Sequence, residues 1–201
     1  LWSSLQAVLH RRELRIERFQ LATMKKLNEL ANKEDYWGMK YELVFYYGFL
    51  YFLKHYEEKI LGKKEGVRDL ADWQNIIEAY HQGDITLENI NSPETLGFVT
   101  GLLLKQFSNS YYAKTEKDFV KHRVMKFGSK LTPEMIWKNG LLRCEELAKQ
   151  WDMKLAANYW AALPLVLLAF LEAEEQKWLV AEKEKFMTAF WSGYLIYKKV
   201  E

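Results

Sequence analysis

Apolar side chains along this chain recur at helical spacing, and no stretch shows the strict alternation of a strand. Trp2, Leu5, Leu9, Ile16, Phe19, Leu27 and Leu30 form one stripe and predict a helix over about Trp2–Ala31. Arg12 interrupts that stripe, while Arg11, Arg15 and Arg18 share another face that Glu13 and Glu17 can neutralise across neighbouring turns. Asn32–Asp35 reads as a turn and cap. A second helix follows over about Tyr36–Leu61, ending at Gly62. Its segment Tyr41–Phe52 is apolar nearly all round, which predicts a central position in a bundle; a base-stacking platform is the alternative. After a basic loop, Gly62–Gly66 with Lys63 and Lys64, a third helix is predicted over Asp69–His81 and closed by Gly83, with a loop or single turn over 84–91.

A further apolar helix is signalled by Ser92-Pro93-Glu94, an N-cap, a proline at the first helical position and an acid in the first turn. The helix it opens runs through L-G-F-V-T-G-L-L-L-K-Q-F-S-N-S-Y-Y, Leu96 to Tyr112. Gly101 sits mid-helix, where glycine costs ~1 kcal/mol against alanine. The pattern F-x-x-G-x-L recurs at Phe45-Gly48-Leu50, Phe98-Gly101-Leu103 and Phe190-Gly193-Leu195. That repetition predicts three helices in which Gly48, Gly101 and Gly193 each admit a neighbouring backbone. Further helices are expected over Glu116–Phe127 with Gly128 as stop, from Thr132-Pro133-Glu134 to Gln150, and beyond a cap at Asp152 through Tyr159 and Trp160, with a kink or the start of a new turn at Pro164. A charged section, Glu172–Lys185, precedes a last helix over Phe186–Lys199. The expected fold is all-α, a bundle of seven or eight helices, read as one domain over 1–201 with a possible division at 91/92.

Composition narrows the classes. Hydrophobic residues make up 49% of the 201 and prolines number three, which argues against disorder and against a turn-rich sheet protein. Cys144 is the sole cysteine, so no internal disulfide forms; a packing thiol and a cytoplasmic location are expected. The longest apolar run, Ala156–Leu171, is short for a bilayer and carries Asn158 and Pro164, so no membrane association is expected. No phosphate-binding glycine loop, nucleophile elbow or zinc-binding helix motif occurs. Glu78 and His81 form one E-x-x-H pair without the second that a di-iron bundle needs, and His10, His55 and His122 add no ligand spacing. Neither a metal nor another cofactor is expected, and catalysis is not.

The net charge of +2 hides alternating blocks: net +4 over 1–64, −6 over 65–104, +6 over 105–143 and −2 over 144–201. The block 105–143 holds nine basic and three acidic residues. Lys105, Lys114, Lys117, Lys121, Arg123, Lys126, Lys130 and Arg143, with Asn109, Ser108 and Ser110 as neutral donors and Tyr111 and Tyr112 nearby, suit a phosphate backbone held without reading sequence. Lys117 and Lys121 are expected on one face of the helix from Glu116.

The stretch Leu96–Tyr112, the lysine-rich segment after it and the terminal T-A-F-W-S-G-Y-L-I-Y-K-K resemble, in this order, the C-terminal region of the type I-B CRISPR Cascade large subunit. The resemblance covers roughly residues 94–201. In several type I systems that region is also made as a separate small subunit by internal translation, which suits a chain opening on Leu. It implies a non-catalytic helical small subunit of a crRNA-guided antiviral complex. Its implied partners are the backbone and large subunits, the guide RNA–DNA heteroduplex, the displaced single-stranded DNA and further copies of itself. The acidic block 65–94 would then face protein neighbours or solvent. Two other readings compete: a helical protein–protein scaffold or adaptor without nucleic-acid binding, and a small-molecule-binding bundle lined by the aromatics.

Overall fold

A computed structural model describes residues 2–56, 73–175 and 177–197, with side chains placed for these except 2–16, 52–56 and 175. The expected side-chain pattern of residues 2–16, the end of the second helix near Gly62, the Lys63-Lys64 loop, the start near Asp69, His10, His55 and the last residues from Lys198 fall outside that description. The fold is all-α, and the described residues contain no strand. No helix among them is long and apolar enough to cross a membrane.

Local chemistry places the elements. Helix α1 (Trp2–Asn32) ends at Glu34, whose φ of 59° lets the Asp35 N–H reach back to the Leu30 carbonyl at 2.9 Å. Asp35 then accepts the Gly38 N–H at 2.8 Å, opening α2 (Tyr36–Tyr56). Helix α3 (Gln74–Gln82) stops at Gly83, in the left-handed region at φ 81°. Helix α4 (Pro93–Thr115) begins where Ser92-Pro93 predicts, with a reciprocal box in which Thr95 takes the usual acidic residue's part: each residue's backbone N–H donates to the other's hydroxyl at 3.2 Å. Thr132 caps the Met135 N–H at 3.3 Å, and Pro133 opens a helical run through α6 (Pro133–Ile136), a π-helical segment (Trp137–Leu141) and α7 (Leu142–Gln150).

Three expectations for the second half need correction. The predicted helix over Glu116–Phe127 is only a short α5 (Phe119–Arg123), because Glu116 turns left-handed at φ 56° and Asp118 caps the Lys121 N–H at 2.9 Å. The segment after it is kinked at Gly128, φ 52°. Asp152, itself at φ 44°, sits in a turn, and α8 (Ala157–Glu175) starts five residues later and continues through Pro164. Finally α9 (Trp178–Ala181) leads into α10 (Lys183–Ile196).

The centre of the bundle is α4 against α10, not α2. Residues 95–104 and 186–194 are buried on every side, whereas α2 buries Met39, Leu43, Tyr46, Tyr47 and Leu50 and leaves its opposite face open. A Cβ on Gly97 would lie 2.3 Å from the Phe186 carbonyl oxygen, one on Gly101 2.1 Å from that of Phe190, and one on Gly193 2.0 Å from that of Phe98. Partner numbers rise together, so the two helices run parallel. The glycine hydrogens at those positions aim at carbonyl oxygens, the geometry of weak Cα–H···O contacts. Gly101 and Gly193 therefore do what their motif predicts, and Gly97 joins them. Gly48 does not: it is exposed, and no described atom lies within 4 Å of its Cβ position.

The N-terminal helices dock on α10 through polar pairs inside the aromatic core. Trp191 Nε1 donates to Asn28 Oδ1 at 2.7 Å, and the Tyr47 and Ser192 hydroxyls share a hydrogen bond of 2.7 Å. Trp73 donates to Tyr47 at 3.2 Å while its ring stacks on Phe98 at 4.2 Å. Cys144 is fully buried, its thiol donating to the Gly140 carbonyl at 3.5 Å and held up at about 12 by burial.

Candidate nucleic-acid interface

The second half of α4 carries the charged block out of the core. Lys105 is half-buried, with its ammonium 4.9 Å above the Tyr194 ring and its pKa lowered by desolvation. It braces α4 on α10 and is not an open surface cation. Ser108 is buried and donates to Asp118 at 3.4 Å, so it too is withdrawn from solvent.

The last two turns of α4 form a wall between two recesses. On one side lies an open cleft of about 630 Å³. Asn109, Ser110 and Lys114 line it from α4, Lys154 and Asn158 from the 151–158 turn and the start of α8, His81 from the end of α3, and Tyr197 from beyond α10. Its floor is fixed: the buried Gln106 amide accepts from the Tyr80 hydroxyl and donates to Asn158 Oδ1 at 3.3 Å. The His81 and Tyr197 rings lie 6.1 Å apart, tilted by 41°. Among the described residues, the cleft walls carry two lysines and a histidine and no carboxylate. Burial lowers the pKa of His81 and raises that of Tyr197.

On the other side a recess of about 390 Å³ is lined by Tyr111, Lys117, Asp118, Phe119, His122 and Arg123. His122 also lines a smaller neighbouring recess with Glu34, Lys121 and Lys126. Lys117 precedes the α5 cap, so it does not share a helical face with Lys121 as expected. Lys121 is tied to Glu34 across the α1–α2 turn at 2.5 Å, which raises its pKa through that hydrogen bond; exposed as it is, the pair adds little stability. The Lys126 ammonium lies 5.0 Å from the Phe127 ring centroid. Lys130 is exposed beyond the Gly128 kink, and Arg143 is on α7, paired with Glu146 at 2.9 Å.

Of the nine residues singled out from sequence, the structure thus groups Asn109 with Lys114, Lys117 with Arg123, and Lys121 with Lys126. Lys105 is half-buried against Tyr194, and Arg143 and Lys130 line none of these recesses. Sequence reasoning missed Lys154, His81, Asn158 and Tyr197, which reach the cleft from three other segments. The one local signal was Gln106, a polar amide inside an apolar helix that needs buried partners. Glu78 is exposed beside a half-buried His81, and no cluster of metal-ligating side chains occurs among the described residues.

Fold and site together define an all-α helical bundle whose central helix emerges between two recesses carrying basic side chains. No protein-family model, no curated protein and no solved structure matches the chain.

Proposed function

We propose that the chain is a non-catalytic helical module that holds a nucleic-acid strand by its phosphates, acting as the small subunit of the crRNA-guided effector complex that its sequence resembles. One observation carries the binding part of this reading: the cleft beside α4 presents Lys114, Lys154 and His81 with neutral amide and hydroxyl donors and without a carboxylate on its described walls. Such a lining favours anions through charge and donor density while offering little that reads base sequence. Lys117 and Arg123, across the last turns of α4, extend the same field. Guide pairing would supply specificity in such a complex, and this chain would supply a positive surface.

The test is binding of the intact chain to single-stranded DNA and to an RNA–DNA heteroduplex across a salt series. Affinity is expected to fall steeply with salt, and each of Lys114→Ala and Lys154→Ala to flatten the single-strand slope by ~0.7. Binding that ignores salt, or that survives loss of both lysines unchanged, refutes the assignment to this cleft. A chain that binds no nucleic acid at all refutes the reading as a whole.

A further inference from the structure

Two of the three F-x-x-G-x-L segments mate with each other, Gly101 of α4 on Gly193 of α10. The third, on α2, faces outward. Trp37, Tyr41, Val44 and Gly48 follow one another at intervals of four, three and four residues, the spacing of a heptad seam. Trp37 is 83% exposed, Tyr41 76%, Val44 66% and the adjoining Phe45 58%. No charged residue interrupts this seam; Lys40 flanks it, its ammonium 5.6 Å from the centre of the Trp37 ring. The opposite side of the same helix is already committed to the core, and among the described residues packing touches this face only at its border, where the Phe45 ring meets Phe19 edge-on at 6.0 Å. Contiguous exposed aromatic surface of this kind marks an interface.

We infer that this face joins two copies of the chain as an antiparallel α2 pair, with a two-fold axis between Val44 and Phe45. In that register Tyr41 lies over the partner's Gly48, so the large side chain of each copy fills the notch left by the missing side chain of the other. A parallel pair would oppose Trp37 to Trp37 and Tyr41 to Tyr41 and leave the glycines facing across a gap. The antiparallel pair also sets each helix's positive N-terminal end beside the negative C-terminal end of the other. One patch serves both sides, as an isologous two-fold contact requires, and its lack of charge spares identical copies any repulsion at the seam. At ~200 Å² per fully exposed aromatic, the fractions at Trp37, Tyr41 and Phe45 amount to roughly 430 Å² a copy, over half of the ~800 Å² per partner of a stable interface before Val44 and the flanks are added. The inference is independent of nucleic-acid binding.

Sedimentation velocity of the whole chain over a concentration series tests it. A reversible dimer is expected. Gly48→Leu is the clean perturbation, because a Cβ at this exposed position meets no described atom within 4 Å while the side chain fills the notch for the partner's Tyr41. It should weaken dimerisation about tenfold or more, the scale of an overpacked contact, without lowering the unfolding midpoint of the dilute monomer. Val44→Cys should cross-link to itself under mild oxidation. Gly48→Cys alone should not, its two copies standing ~10 Å apart along the pair at 1.5 Å per residue. A mixture of Tyr41→Cys and Gly48→Cys should cross-link, while Cys144 stays buried and silent. A chain that remains monomeric with Val44→Cys uncoupled overturns the inference. So does a dimer indifferent to Gly48→Leu, or a monomer whose Trp37 is shielded from an aqueous quencher because residues 57–72 cover the seam.

Discussion

Replacing Gly101 by alanine adds one methyl group where two backbones already touch. Its carbon would stand 2.1 Å from the Phe190 oxygen and 2.6 Å from the Tyr194 nitrogen, against 3.4 Å for ordinary contact, so α10 must retreat by about 1.3 Å along that direction. Neither neighbour is a side chain that can rotate away. A radial gap of ~0.5–1 Å already forfeits a quarter to a half of each dispersion contact along the seam. Overpacking of this kind costs ~1–3 kcal/mol, and with backbone on both sides the upper end applies. Alanine's helix propensity returns ~1 kcal/mol, leaving a net loss of ~2 kcal/mol. For a chain of this size that lowers the thermal midpoint by ~4–8 °C. Gly48→Ala is the internal control: the same motif and the same substitution, but open space around the added carbon, so the dilute protein should gain up to ~1 kcal/mol. Circular dichroism melts of both variants decide the matter. If the two substitutions shift the midpoint in the same direction, the glycines do not owe their difference to helix contact and the reasoning fails.

Three further outcomes follow from the same structure. Ser92→Ala removes the hydroxyl that caps the Thr95 N–H and should cost ~1 kcal/mol in urea unfolding; a loss indistinguishable from zero would mean the box does not hold the start of α4. Native Cys144, with its thiol pushed up to about 12, should resist alkylation at mildly alkaline pH and react at the free-thiol rate only after unfolding. Burial holds His81 below its ordinary 6.5, so the unfolded chain takes up this proton first as pH falls. The histidine's effect is therefore nil above 6.5 and destabilising as pH drops through 6.5 toward the folded value. A phosphate bound in the cleft should raise that folded value, and an NMR titration of His81 that does not move on adding oligonucleotide would count against the cleft as the contact.

What a stretch of residues decides about itself was legible before any coordinates. Caps and stops act over three or four residues, so Ser92-Pro93, Thr132-Pro133 and Gly83 announced their elements, and helical periodicity announced the all-α fold. The glycines of α4 and α10 were legible because an apolar helix gains nothing from a mid-helix glycine unless a neighbour uses the space. Pairing between distant segments was not legible. The middle of α2 read as apolar nearly all round and was expected at the centre, yet the parallel seating of α10 on α4 made α4 central and turned half of α2 outward. Gly48 has the local pattern of Gly101, yet nothing in its own neighbourhood says whether a second backbone will arrive. The charged block shows the same division: its excess of cations is a property of the chain, whereas the withdrawal of Lys105 onto Tyr194, the capture of Lys121 by Glu34 and the meeting of Lys114 with Lys154 and His81 are properties of the fold. An electrostatic or packing partner tens of residues away is set by where helices cross, and the crossing is decided by all the apolar faces at once.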